Sequence, residues 1–335
     1  MTVGILGLGL IGGSLARALS ARTAHRVVGL DTDEAVLAQA RADGAIADGA
    51  ADADAMARLA GACGALLIAL YPGAAVAAAE RLFPALRPGT LVVDCCGVKR
   101  PVCAALGPLA ARHGLAFIGG HPMAGRERFG YGSSLETMFD GASMVLTPVP
   151  GGAADAQARA QALLAPLGFS RFCVCTPEQH DRMIAYTSQL AHVVSSAYVQ
   201  SGTALSHVGF SAGSFQDMTR VARLYEPMWT ELFLDNAEPL LLELDGLIER
   251  LGAADFLINF DNTTSNATPS KLIDYAMTGR PILSFNDRTF DPDGFRAALR
   301  GDYRAQVRGI DLSQYDIRNV AAQFIDLIDA GKQKE

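Results

Sequence analysis

The sequence predicts an α/β protein in three parts: a doubly wound nucleotide-binding sheet, then an all-α segment, then a small α/β segment. Three observations carry this expectation. A glycine-rich turn, Gly7-Leu8-Gly9-Leu10-Ile11-Gly12, sits between a buried apolar run and a helical one. Short apolar runs then recur, each closing on a glycine, a proline or a polar residue, as the strands of βα units do. From Thr176 onward the apolar residues adopt the roughly 3.6-residue period of helices.

Val3-Gly4-Ile5-Leu6 reads as the first strand and Leu15 to Ala21 as the helix behind it. In the turn between them Gly7 makes the tight bend, Gly9 lets a pyrophosphate approach the backbone, and Gly12 lets helix pack on strand. Leu10 and Ile11 stand at the helix N-terminus that faces the phosphates. The second strand, Arg26 to Leu30, ends at Asp31, a carboxylate placed to bond an adenosine ribose and to repel a 2′-phosphate. Residues 1–175 are therefore expected to form a Rossmann-type domain. NAD rather than NADP is the expected cofactor, held by Gly7, Gly9, Leu10, Ile11, Gly12 and Asp31.

Further βα units follow. Ala65 to Leu70 runs to Tyr71-Pro72, Leu91-Val92-Val93 to Asp94-Cys95-Cys96-Gly97-Val98-Lys99, and Ala116-Phe117-Ile118 to Gly119-Gly120-His121-Pro122. In the last of these the two glycines are expected to turn the backbone sharply, and the proline to set the direction of the histidine. His121 then lies at a strand end, where α/β sheets collect ligands, with a reference pKa of about 6.5 that suits proton transfer at neutral pH. On this stretch alone, a histidine that bonds its own loop fits equally well. Lys99 reads as a solvated loop charge more readily than as an anion contact. Ser143 to Leu146 and Phe172 to Cys175 complete the sheet, joined by a helix from Ala153 to Leu164.

The helical part opens at Thr176-Pro177-Glu178-Gln179, where Thr176 reads as an N-cap and Gln179 completes a capping box. Asp181 and His192 are about three helical turns apart and are expected to share a face with Ala185 and Ser188, as a cleft wall would. A buried, satisfied histidine is the other reading of His192. Asp217 and Arg220, at i and i+3, form either a surface ion pair or a site in which Arg220 grips a substrate carboxylate with two parallel hydrogen bonds. A second long helix is expected from Pro227 to Leu251, buried in a subunit interface.

Composition narrows the function. The chain has 335 residues, half of them hydrophobic, with a net charge of −7 and no basic run. That balance argues against nucleic acid and membrane surfaces as partners. No apolar run approaches the ~18 residues of a membrane span and no charged leader precedes the first strand, so a cytoplasmic protein is expected. The six cysteines lack paired metal spacing and read as reduced small hydrophobes, with no metal site. Residues 1–251 contain one asparagine, one lysine and all six histidines and cysteines, whereas residues 252–335 contain five asparagines, three lysines and none of the others. The chain reads as two pieces joined near Leu251-Gly252.

The motifs of the first piece resemble the prephenate dehydrogenase family, with arogenate dehydrogenases as close relatives. GLGLIGGSLA from Gly7, DCCGVK from Asp94, GGHPMAG-x-E from Gly119, TPEQHD from Thr176, SQLAHVVSSA from Ser188, and FQDMTRVA from Phe215 followed by PMW occur in the family order. The resemblance implies a nucleotide-binding sheet, a helical domain over 176–251 that builds a homodimer, and a small-molecule substrate, prephenate or arogenate. It makes His121 the catalytic acceptor of the ring-hydroxyl proton and Arg220 the carboxylate binder. His192 then shapes the substrate pocket, Glu127 is an acid at its mouth, and Asp217 orients neighbouring groups. Many members carry serine where Gly97 stands. The implied reaction is NAD-dependent oxidative decarboxylation of prephenate to 4-hydroxyphenylpyruvate, a step of tyrosine biosynthesis. No residue decides between prephenate and arogenate.

Residues 252–335 resemble instead a fragment of a two-Rossmann-domain glycosyltransferase. Strand Ala254 to Phe260 is followed by Thr268-Pro269-Ser270-Lys271, a helix carrying Asp274, and a strand from Pro281. Most of such a donor site is missing, so a glycosyltransferase or an inactive fusion stands only as the alternative to the dehydrogenase reading.

Overall fold

The computed structural model describes residues 1–126, 128–208, 211, 213–253, 255–260, 279–285 and 289–307. The chain divides into two compact units, Met1–Leu190 with Arg223–Leu240, and Ala191–Ala222 with Leu241–Glu335. Boundaries expected at residues 175 and 251 thus do not coincide with the division, which runs through the helical segment.

The first unit is built on an eight-stranded sheet. Its strands are β1 (Thr2–Leu6), β2 (Arg26–Leu30), β3 (Asp48–Ala50), β4 (Ala65–Ile68), β5 (Leu91–Asp94), β6 (Ala116–Pro122), β7 (Ser143–Thr147) and β8 (Arg171–Val174). Their spatial order is β3-β2-β1-β4-β5-β6-β7-β8, parallel except for the antiparallel β6/β7 pair. The order reverses between β1 and β4, the position at which doubly wound sheets open a ligand crevice.

Alternate residues of each strand enter opposite layers, because successive side chains of a strand point to opposite faces. Ala65, Leu67, Leu91, Val93 and Ile118 pack with α1 (Leu10–Arg22) and α6 (Ala156–Leu164) through Leu15, Leu19 and Leu163. Leu66, Ile68, Val92 and Phe117 pack on the other side with α4 (Pro72–Leu82) and α5 (Arg100–Arg112) through Ala79, Leu82, Val102 and Leu106. Both faces are covered, which is why these strands read as continuous apolar runs.

Strand β6 departs from expectation. It does not turn at Gly119 and Gly120 but continues to Pro122, with Gly119 opposite Thr147 and His121 opposite Val145. The glycines serve packing: a Cβ on Gly119 would lie 2.1 Å from Thr147 Oγ1, and one on Gly120 2.6 Å from the Asp94 carbonyl oxygen.

The capping box at Thr176 is present, with Gln179 N–H donating to Thr176 Oγ1 and Thr176 N–H to Gln179 Oε1. It opens α7 (Pro177–Ile184), which passes into a π-helical turn, Ala185–Gln189, before α8 (Leu190–Val199). The uninterrupted period assumed for a shared Asp181/His192 face therefore does not hold. The single helix expected from Pro227 is two, Glu226–Asp235 and Ala237–Ala253, broken at the fully buried Asn236. Asn236 Nδ2 turns inward and donates to the Asp181 carbonyl and to Gln189 Oε1.

In the second unit α8 is followed by α9 (Gly213–Arg220). Two short strands, Leu257–Phe260 and Ile282–Phe285, pair in parallel, and the helix Pro292–Ala298 packs on them through Ala298 and Phe295. The expected helix after Pro269, with Asp274, lies outside the described residues. Among the described residues no helix is long and apolar enough to cross a membrane.

Candidate active site

The carboxyl ends of β1 and β2 form a cradle with the features of a nucleotide site. Gly7 adopts φ of 83°, and a Cβ on Gly12 would lie 1.8 Å from the Gly7 carbonyl oxygen, so the turn and the start of α1 both require glycine. Gly9 is different, because a Cβ there would meet nothing within 4 Å. It is the N-cap of α1, it supplies no side-chain bond to the first amides, and no acidic residue lies in the first turn. The helix N-terminus at Leu10 and Ile11 is therefore open to an anion. Asp31 stands beside it, Oδ2 accepting from Leu8 N–H at 2.6 Å and Oδ1 from Asp33 N–H at 3.0 Å. Open backbone, helix N-terminus and oriented carboxylate fit a dinucleotide with an unsubstituted ribose.

Beyond the ends of β5 and β6 lies a buried polar cluster. Lys99, expected on the surface, has no exposed area at all. Its Nζ is paired with the equally buried Asp94 carboxylate and donates to the Gly120 carbonyl at 2.6 Å. Asp94 also accepts from Cys96 N–H and Gly120 N–H, at 3.0 and 3.3 Å, so the pair ties β5 to the residue before His121. Burial works against the Lys99 charge, but Asp94 outweighs it and raises the ammonium above the usual lysine value. Burial pushes the neighbouring Cys103 thiol up to about 11 and Cys95 to about 12, so both are inert as nucleophiles.

His121 is half-buried, and its Nδ1 lies 2.9 Å from Nε2 of His180. His180 is 2 % exposed, and its own Nδ1 lies 2.7 Å from Oδ1 of Asp181, which has no exposed area. Asp181 in turn accepts the Lys99 and Arg100 backbone N–H groups at 2.6 and 2.7 Å, filling the N-terminus of α5 with negative charge. Arg100 Nε stands 3.7 Å from the second oxygen. Loss of solvent, His180 and the Lys99 cation together hold the His121 imidazole well below the ordinary histidine value. Burial lowers His180 as well, against the opposing pull of Asp181.

His180 is the residue the sequence reading passed over. Its signal was present: a histidine and an aspartate adjacent in the first turn of a helix that begins just after a sheet strand. At Gly97, a Cβ would lie 3.2 Å from Leu232 Cδ2. That space is lined by leucine, and the group bonded to His121 is His180.

The second unit holds His192, Asp217 and Arg220. His192 Nδ1 donates to the Val221 carbonyl at 2.7 Å, and the buried Ser195 hydroxyl donates to the Met218 carbonyl. These two bonds dock α8 on the end of α9, next to the turn that carries Arg220. Asp217 and Arg220 are both exposed. Glu127 lies outside the described residues.

Comparison with known proteins matches two family models along the chain: prephenate dehydrogenase, nucleotide-binding domain, over residues 15–169, and prephenate dehydrogenase, dimerization domain, over residues 176–268. The second match runs past the composition break at Leu251. A cyclohexadienyl dehydrogenase of Zymomonas mobilis is 33% identical over 266 residues, covering 74% of this chain and 85% of that protein. A prephenate dehydrogenase of Bacillus subtilis is 29% identical over 259 residues, 75% of this chain and 68% of that protein. Among solved structures, arogenate dehydrogenase of Synechocystis superposes with a TM-score of 0.64 at 28% identity, covering 75% of this chain and 89% of that one.

Proposed function

The chain belongs to the prephenate dehydrogenase family, and from that premise we propose that it catalyses the NAD-dependent oxidative decarboxylation of prephenate. The single observation that carries the proposal is His121, a neutral imidazole at the end of β6, in the same sheet as the open cradle at Gly9 and Asp31. NAD supplies the hydride acceptor. His121 draws the proton from the ring hydroxyl as hydride leaves the carbinol carbon, and the ring carboxylate departs as carbon dioxide, which aromatises the ring. Loss of solvent keeps His121 unprotonated at neutral pH, the form a base must have. The Lys99–Asp94 pair holds the backbone that carries it, and orientation is a large share of the rate in a reaction driven by aromatisation.

Arg220 suits a carboxylate, since a guanidinium offers two parallel donors in a fixed fork. His192 and Asp217, on the same pair of helices, are assigned to shaping and orienting that subsite. Glu127 keeps its assignment as an acid at the pocket mouth on the motif alone. The chain pairs as a homodimer in this reading. Leu241, Leu242 and Ile248 on the helix Ala237–Ala253 are 56, 68 and 59 % exposed, a row of apolar side chains that a partner would cover. Arogenate dehydrogenase is the second reading, favoured by the similarity to the Synechocystis enzyme.

The test is NADH formation in single turnover with prephenate and with arogenate, for the wild type and His121→Asn. The expected result is faster turnover of prephenate and a loss of roughly 100-fold or more in the variant, the usual scale for a general base, with NAD affinity unchanged. A near-normal rate in His121→Asn would move the proton-accepting role to another residue.

A further inference from the structure

We propose that His180 is a positioning residue for the oxidation step: it fixes which nitrogen of His121 faces the substrate and receives the proton charge that His121 collects. The inference rests on the reading of His121 as the proton acceptor. It begins with Asp181, whose carboxylate is held by the Lys99 and Arg100 amides and can only accept. The 2.7 Å contact to His180 Nδ1 therefore places a proton on that nitrogen. Neutral His180 then has its lone pair on Nε2, and the 2.9 Å contact to His121 requires the proton of His121 to sit on Nδ1. Nε2 of His121 is left as the basic atom. One carboxylate thus sets the tautomers of two imidazoles in series.

The same chain determines where charge goes. An imidazolium at His121 faces a histidine on one side and the Lys99 cation behind it, with no carboxylate in hydrogen-bonding contact among the described residues. At His180 the same charge would sit 2.7 Å from the Asp181 carboxylate. The step is written accordingly. The substrate hydroxyl proton passes to Nε2 of His121, the Nδ1 proton of His121 passes to Nε2 of His180, and the Nδ1 proton of His180 stays on its bond to Asp181. One proton has left the substrate, His121 is neutral again, and the imidazolium at His180 is paired with Asp181. The glycine at position 97 leaves this contact as the hydrogen bond that orients the His121 ring.

The wild-type protein gives the first test. In long-range ¹⁵N–¹H spectra of histidine-labelled protein, with His121→Asn used for assignment, His121 is expected as the Nδ1–H tautomer; the Nε2–H tautomer would overturn the proposal. The second test uses single-turnover NADH formation from prephenate by His180→Phe and His180→Gln. The phenylalanine removes the acceptor and is expected to lower the rate on the order of 100-fold, the lower end of the scale for general acid–base catalysis, with substrate affinity unchanged. The glutamine can still accept from Nδ1 of His121 but cannot take a proton, and is expected to recover part of the rate. Rates across mixtures of light and heavy water should curve in the wild type, where two protons move, and run linear in His180→Gln. A wild-type rate in His180→Phe with a slow His121→Asn would sink the role of His180 and leave His121 as the acceptor. Wild-type rates in both would remove the acceptor reading itself.

Discussion

A lysine with no exposed surface must be neutral or paired, and Lys99 is paired with a carboxylate that is buried as deeply. Removing one member of such a pair strands the other charge, so Lys99→Met is expected to cost about 3–5 kcal/mol in urea unfolding. A loss below about 1 kcal/mol would argue against a buried ion pair at this position. The local sequence gives no hint of this burial: Asp94-Cys95-Cys96-Gly97-Val98-Lys99 has the composition of a loop, and it is elements distant in sequence, β6 through the Gly120 carbonyl and α7 through Asp181, that enclose it. His121, Asp31 and the glycines of the first turn were legible because their chemistry is local to a strand end. His180 showed only as a histidine beside an aspartate; its pairing with His121, 59 residues away on another element, was not legible. The two histidines also make stability depend on pH. Both have folded-state values below the unfolded value of about 6.5, so between those values the unfolded chain binds more protons. Their contribution is complete above about pH 6.5 and is lost as pH falls through the folded-state values. The Tm is therefore expected to drop from about pH 7 to about pH 5, and to drop less in His180→Phe, with equal slopes arguing against buried neutral imidazoles.

At the scale of elements, period and punctuation located seven of the eight strands of the first unit, all but β3, and the helices behind β1, before β8 and after Thr176, but placed none of the helices between β2 and β6. The failures share a cause, which is packing that a one-dimensional pattern does not carry. Gly119-Gly120 reads as a turn because glycine favours turns, yet neither residue has positive φ, and both lie where neighbouring side chains leave no room for a Cβ. The π turn at Ala185–Gln189 and the break at Asn236 are coupled by one hydrogen bond, from Asn236 Nδ2 to Gln189 Oε1. No periodicity announces such a bond. The glycine argument is open to test. In Gly119→Ala the new Cβ would meet Thr147 Oγ1 at 2.1 Å and Cys103 Sγ at 2.7 Å, with β7 on one side and α5 on the other. Overpacking of this kind is expected to cost about 1–3 kcal/mol. Because His121 lies two residues along the same strand, turnover should fall with it. Unchanged urea stability in that variant would contradict the pairing of Gly119 with Thr147.

At the scale of the whole molecule, composition and family point to different boundaries. Asparagine and lysine usage changes at Leu251, whereas the dimerization-domain match continues to residue 268, and the compact division leaves the first unit at Leu240. Composition therefore records how residues are used along the chain, while the units record which residues pack together, and the two need not agree. The nucleotide cradle belongs wholly to the first unit, on β1, β2 and α1. A chain ending at Ala253 keeps every residue of that unit. Deleting residues 254–335 is accordingly expected to leave NAD affinity, followed by calorimetry, at its full-length value. The exposed row Leu241, Leu242 and Ile248 also remains in the shortened chain, but the family match is cut before its end, so the dimer should weaken in sedimentation while the cofactor still binds. If deletion abolished NAD binding, residues beyond Ala253 would have to support the cradle, and the assignment of cofactor binding to the first unit alone would fail.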